Sequence, residues 1–278
     1  MSSQRAPVEV IDETQTNRQG TNPGLATPLR KGSPSMRTIL GIWAHPDDEV
    51  FTAGGLMAAA VRRGDRVVCV HATRGEAGLY YRQLRPAGEL AALRSAELRA
   101  SLARLGVSEQ RFLDLPDGGL CLVAWDEIVA QLHDELVDVD PDVIVTFGSD
   151  GFTGHPDHRA LSSWVSTAVR LWDKPRARLL HAAVPRAWES KVVPRLDEFD
   201  FFWPGYPQFS DRNDVSVCLD NEILDAKLNA VMAHASQMEL LFEAYGEDFF
   251  RSVLSMEVFR SGVRPAFRSR MVSEVKHG

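Results

Sequence analysis

Cysteine is scarce: 278 residues hold three, Cys69, Cys121 and Cys218. No two have CxxC spacing, and an odd number argues against a disulfide framework or a thiolate zinc site. Each lies in an apolar stretch, as in Val67-Val68-Cys69-Val70, so buried free thiols in a reduced compartment are expected. Long hydrophobic runs are also missing. Nothing approaches the roughly 18 apolar residues of a membrane span, and Met1-Ser2-Ser3-Gln4 opens without the apolar core of a signal peptide. These absences predict a cytoplasmic protein with no membrane span. Positive charge is short as well, with 31 Lys and Arg against 38 Asp and Glu, a net −7. Arg62-Arg63 is the nearest thing to a basic cluster. Neutralising phosphates needs a basic surplus, so nucleic acid is excluded as a partner.

What remains is 44% hydrophobic residues, enough for one large core. Residues 1–35 are rich in Ser, Thr, Gln, Pro and Gly. They bury too little apolar area to offset their ordering entropy, which predicts a disordered or extended N-terminal arm. From Arg37 onward, strands and helices alternate. Strands are expected at 37–44, 66–73, 111–115, 142–147, 178–184 and 215–219, and helices at 55–63, 89–105, 125–137, 160–171 and 221–235. Asp220 serves the last helix as N-cap. The pattern predicts an α/β fold: a Rossmann-like, mostly parallel sheet with helices on both faces. Residues 36–278 form one domain, with about 186–278 as an appended flap or rim. Pro194, Pro204 and Pro207 interrupt an aromatic stretch there, Phe199 to Phe209.

Two clusters carry chemistry. Ala44-His45-Pro46-Asp47-Asp48-Glu49 follows the apolar run Ile39-Leu40-Gly41-Ile42-Trp43. On a tight strand-to-helix turn, the His45-x-x-Asp48 spacing brings an imidazole nitrogen and a carboxylate to one metal ion. Asp47 then points elsewhere, free to contact a water. Taken alone, the acids are as readily a cap that favours the helix dipole. The second cluster, His155-Pro156-Asp157-His158, ends a glycine-rich loop, Gly148 to Gly154, after another buried strand. Paired imidazoles in such a loop are not core packing. Together the clusters indicate a mixed N/O metal site with an open position, which suits zinc. His71 and His181 fall inside strands and read as core or edge histidines. Glu49 reads as structural, bonding backbone amides near the turn.

The motif set resembles the LmbE-like, or PIG-L, family of zinc-dependent N-acetylglucosaminyl deacetylases. The matching residues are Ala44 to Glu49, Thr73-Arg74-Gly75-Glu76, Arg94 with Glu97, Pro116-Asp117-Gly118, Gly154 to His158 and, more weakly, His234-Ala235-Ser236-Gln237. The resemblance implies that His45, Asp48 and His158 hold Zn2+, with Fe2+ or another divalent metal as an alternative occupant. Asp47 would be the general base taking a proton from the zinc-bound water. His155 would stabilise the oxyanion or protonate the leaving amine, and Asp157 would orient it and help keep it protonated. Glu76, Arg94 and Asp117 would bind substrate. Mycothiol-pathway members carry Tyr where this chain has Thr153, and a longer insertion than Gly78 to Ala87 offers. Both departures count against a thiol-sugar substrate, and Tyr80 or Tyr81 would have to supply any assisting phenol. The expected partner is a small amino sugar conjugate, and a homo-oligomer is left open. Two rivals remain, an amidase for larger N-acyl groups and a non-catalytic, metal-containing sugar-binding module.

Overall fold

The computed structural model describes residues 10–12, 36–78, 85–174, 176–209 and 214–262. Its strands are β1 (Val10–Asp12), β2 (Thr38–Trp43), β3 (Arg66–His71), β4 (Glu109–Phe112), β5 (Val143–Phe147), β6 (Arg178–Ala183), β7 (Val215–Cys218) and β8 (Met256–Ser261). The helices are α1 (Asp48–Arg62), α2 (Ala87–Leu105), α3 (Trp125–Val139), α4 (Pro156–Trp172), the short α5 (Val193–Leu196), α6 (Asn221–Met232) and α7 (Ala235–Leu254). One eight-stranded sheet runs in the order β1-β7-β8-β6-β5-β2-β3-β4. The stretch from β6 to β4 is parallel, and β8, β7 and β1 add antiparallel strands beyond β6.

β-branched runs account for three of the parallel strands, β2, β3 and β5. In β3, Val67, Val68 and Val70 are all buried, as expected where helices cover both faces. Helices α1, α2 and α6 pack together, and α3 packs with α4. Right-handed crossovers place these groups on opposite faces. The order of connections reverses between β2 and β5, and there an open α/β sheet leaves a crevice at its strand ends. His45 leaves β2 and His158 follows β5 at that crevice.

The predicted strands and helices up to Asn221 are present, with shifted ends. Two shifts matter. Helix α1 starts at Asp48 rather than at residue 55, and α4 starts at Pro156 rather than at 160. Both clusters therefore open helices, with Pro156 at a first-turn position where its missing N–H costs nothing. Asp220 caps α6 as expected, accepting from the Ile223 amide at 2.8 Å.

The segment expected as a flap or rim divides in two. Residues 186–209 run beside the crevice, whereas β7 and β8 extend the sheet and α6 packs on α1 and α2. A buried ion pair fastens this second part. Lys227 Nζ lies 2.7 Å from Glu257 Oε1 and donates to the Phe51 carbonyl at 3.2 Å. The Glu257 carboxylate accepts from the amides of Gly55 and Leu56 at 2.6 and 2.8 Å. A Cβ on Gly55 would lie 2.4 Å from the Leu219 side chain, so glycine permits this close approach. The arm falls mostly outside the described residues, as do Tyr80 and Tyr81; within it, Val10–Asp12 pairs with β7.

Of the cysteines, Cys69 is buried, but Cys121 and Cys218 are exposed, which corrects the expectation of three buried thiols. Apolar neighbours in sequence did not bury Cys218, because it ends its strand. No helix among the described residues is long and apolar enough to cross a membrane.

Candidate metal centre

His45, Asp48 and His158 turn toward one point. His45 Nδ1 lies 3.2 Å from His158 Nε2 and 3.4 Å from Asp48 Oδ2, and His158 Nε2 lies 3.2 Å from Asp48 Oδ1. A tetrahedron with zinc–ligand bonds of about 2.0–2.1 Å has edges of about 3.3–3.4 Å, so the spacing fits a single dication. The outer ring nitrogens explain the orientation. His158 Nδ1 is 2.9 Å from the Gly151 carbonyl, and His45 Nε2 is 3.0 Å from Asp117 Oδ1 and 3.4 Å from Asp157 Oδ2. These partners only accept, so each outer nitrogen carries the proton and each inner nitrogen presents a lone pair. Two lone pairs and a carboxylate facing one another call for a shared cation.

The electrostatics agree. Burial alone would lower the His45 pKa, yet Asp117, Asp157 and Asp48 outweigh it and hold it well above the usual value, so in the absence of a dication a second proton takes the inner nitrogen's lone pair. Burial would raise Asp48, but His158 and His45 hold it well below the usual carboxylate range. Phe147 stacks on His158 at 4.0 Å with the rings 3° apart, fixing that imidazole from behind.

Asp47 is the N-cap of α1, in a left-handed conformation with φ 105°. Its amide donates to Glu49 Oε2 at 3.0 Å. Glu49 is fully buried and also meets His71 Nε2 at 3.1 Å and His234 Nε2 at 3.3 Å. These contacts overcome burial and hold the Glu49 pKa at about 2, so an anion anchors the strained turn. The expectation of a structural Glu49 understated this: it takes two histidines as well as an amide. On the other side, Arg94 Nη2 reaches Asp47 Oδ2 at 2.9 Å and the Pro46 carbonyl at 2.6 Å, while Nη1 holds the Gly75 carbonyl at 2.9 Å. Burial, with repulsion from Asp48, raises the Asp47 pKa to about 6 against the pull of Arg94.

The expected site residues have protein partners that the sequence did not show. Arg94 is buried, lines the cavity and is engaged with Pro46, Gly75 and Asp47. Asp117 holds His45, and its Oδ2 accepts from the Ala77 amide at 2.7 Å. Glu76 accepts from the Asp117 amide at 3.0 Å, behind the cavity. The Asp157 carboxylate faces His45 and the amides of Gly118 and Leu120, not His155. Only the Asp157 amide reaches His155, donating to Nδ1 at 3.2 Å. Burial, then repulsion by His45 and His158, lowers the His155 pKa to about 4. His155 is therefore neutral, with its proton on Nε2. A protonated His155 kept by Asp157 is replaced by a neutral donor.

Around these groups lies a cavity of about 520 Å³ that opens to solvent. Asp47, Asp117 and His155 line it, together with an aromatic wall, Phe201, Phe202 and Trp203. Sequence reading singled out the Phe199–Phe209 stretch but not its place in the cavity. Gln237, from the weakest motif, also lines it, and Ser236 beside it holds Glu97 at 2.6 Å.

The PIG-L family, described as GlcNAc-PI de-N-acetylase, matches residues 40–169. A 1D-myo-inositol 2-acetamido-2-deoxy-alpha-D-glucopyranoside deacetylase of Corynebacterium diphtheriae is 32% identical over 235 residues, covering 74% of this chain and 79% of its own. The chain belongs to the PIG-L family. Among solved structures, N,N'-diacetylchitobiose deacetylase from Pyrococcus horikoshii superimposes with a TM-score of 0.59 at 23% identity, over 82% of this chain and 84% of that one. A 4-carboxy-2-hydroxymuconate hydratase from Pseudomonas putida gives a TM-score of 0.57 at 17% identity, over 87% and 100%. The fold thus carries more than one reaction, and the site must decide.

Asp117→Asn should expose the role of that carboxylate. Removing the charge from the outer nitrogen of His45 should weaken metal binding about 10- to 100-fold, read by competition with a chromophoric chelator. A sugar contact alone would leave metal affinity unchanged and raise only KM.

Proposed function

We propose that this protein is a zinc-dependent N-deacetylase that removes acetyl from an N-acetylglucosamine-type conjugate. One observation carries the reading: a dication-sized cluster of His45, Asp48 and His158 flanked in one cavity by a carboxylate of near-neutral pKa, Asp47, and a neutral imidazole donor, His155. When bound, zinc supplies Lewis acidity, making water acidic enough to ionise near pH 7 and polarising the amide carbonyl.

The protein groups do the rest. Asp47 accepts the proton of the attacking water. With a pKa of about 6, it holds that proton weakly enough to return it to the departing amine. His155 offers its Nε2 proton to the oxyanion that develops as the carbonyl carbon becomes tetrahedral. Glu49 and Arg94 fix the base from its backbone and side-chain ends. A sugar-binding module has no need of such a base, which favours the catalytic reading over the non-catalytic one. The same residues would serve an amidase, so the acyl group must be tested directly.

The deciding experiment measures acetate released from N-acetylglucosamine conjugates by zinc-loaded protein, beside matched substrates with larger acyl groups. Acetate release in preference to the larger acids supports the reading, and failure on every acetylated conjugate sinks it. A chelated sample should lose the activity and regain it with added zinc.

A pH profile tests the base. Asp47 must be ionised to accept a proton, so kcat/KM falls as pH drops through its pKa. Arg94 pulls that pKa down, so Arg94→Met should move the acid limb to higher pH by roughly one unit or more. An unmoved limb, with activity remaining, would assign it to another group.

A further inference from the structure

The group joined to the amino sugar would lie along a wall that the catalytic roles leave unused. Phe51 of α1 meets Phe201 edge-on at 5.7 Å between ring centroids, and Phe201 meets Phe202 at 5.0 Å. Trp203 stands edge-on to His155 at 5.5 Å. Exposure rises along this wall from 5% at Phe202 to 45% at Trp203, which marks the way out of the cavity.

The wall is built rather than incidental. The Trp203 amide donates to the Thr153 carbonyl at 2.9 Å, tying the aromatic segment to the loop that carries His155. At Gly154, φ is +84° and a Cβ would lie 2.3 Å from the Tyr206 ring. Only glycine lets Tyr206 dock there.

Charge narrows the class of ligand. The cavity is lined by Asp47, Asp48, Asp117 and Asp200. Arg94 is the one Lys or Arg among the described residues lining it, and both its Nη atoms are donated to Gly75, Pro46 and Asp47. A phosphodiester would meet these carboxylates and find no free Lys or Arg among the described lining residues. An apolar group would cover Trp203, 45% exposed, and the accessible part of Phe201.

We propose that the natural substrate carries a neutral, largely apolar aglycone, alkyl or aryl, which packs against Phe51, Phe201 and Trp203. This rests on the deacetylase reading, in which the acyl group is only acetyl, so that the attached group is the part that extends toward the mouth. Trp203 is then a residue that sets specificity.

The test compares zinc-loaded protein on the methyl, octyl and benzyl β-glycosides of N-acetylglucosamine and on UDP-N-acetylglucosamine, with methyl N-octanoylglucosaminide as the long-acyl arm. Calorimetric binding of the octyl and methyl glycosides runs beside turnover. Burying two methylenes or more corresponds to roughly tenfold, so kcat/KM for the octyl glycoside should exceed the methyl value at least about tenfold, mostly through KM. Trp203→Ala should bring the octyl-to-methyl ratio close to one. Phe201→Ala should reduce it in the same direction, and it replaces the first variant if that one does not fold. Equal rates for octyl and methyl, a preference for the UDP conjugate or for the octanoyl amide, or an unchanged ratio in both variants overturns the proposal. If no substrate releases acid yet octyl binds more tightly than methyl in a Trp203-dependent way, the wall stands and the deacetylase reading falls. If octyl binds no better than methyl, the wall falls.

Discussion

Asp47→Asn should lower kcat about 10²- to 10⁴-fold while the protein still binds about one metal ion per chain. Asparagine keeps the side-chain shape and an oxygen for Arg94, but it cannot take a proton. Neither His45, Asp48 nor His158 is disturbed, because the Asp47 carboxylate contacts Arg94 at 2.9 Å and not those three. The comparison that matters is kcat against metal content in one preparation. A variant that turns over within threefold of the parent would remove Asp47 from the chemistry. One that loses its metal would make Asp47 part of the ligand set instead.

The second large effect is on stability. Lys227→Met leaves Glu257 charged, 2% exposed and without its ammonium partner. Breaking a buried pair from one side costs about 3–5 kcal/mol, which for a chain of this size lowers Tm on the order of 10 °C. Removing both charges, Lys227→Met with Glu257→Met, should recover much of that loss. Thermal denaturation of the single and double variants checks both statements. A single variant melting within 2 °C of the parent would show that water or a neutralised Glu257 takes the place of the pair.

That ion pair also shows where sequence reading runs out. Strands β2, β3 and β5 were legible because β-branched residues fill positions buried on both faces, and β6 because Leu179, Leu180, Ala182 and Ala183 are apolar and buried. Strand β8 was not, because Glu257 occupies a core position and reads as a surface residue until Lys227 and two helix amides are seen around it. Helix α7 was missed too, and it carries non-helical geometry at Gly246 (φ 72°, ψ 174°). In the site, His45, Asp48 and His158 were legible from spacing, since short motifs after buried strands fix where the side chains start. Arg94, Asp117 and Glu76 were recognised as belonging to the site, but their protein partners were not foreseen. A charged residue in a motif shows that it has a partner there, not whether that partner is a ligand or another residue. Arg94 finds its partner in Asp47, on a different element, and no local spacing rule connects the two.

The conformation of Asp47 has a consequence for how such a protein changes under selection. An aspartate held at φ 105° costs roughly 1–3 kcal/mol of backbone strain, and its buried carboxylate is hard to ionise. Glycine at that position would relieve both. Asp47→Gly would also strip buried Arg94 of its carboxylate, so selection for heat resistance alone would enrich it together with a neutral residue at 94 and yield a hardier protein with little turnover. Residue 47 is thus a place where durability and activity are opposed, and a screen for thermostable variants has to score product formation to keep the aspartate.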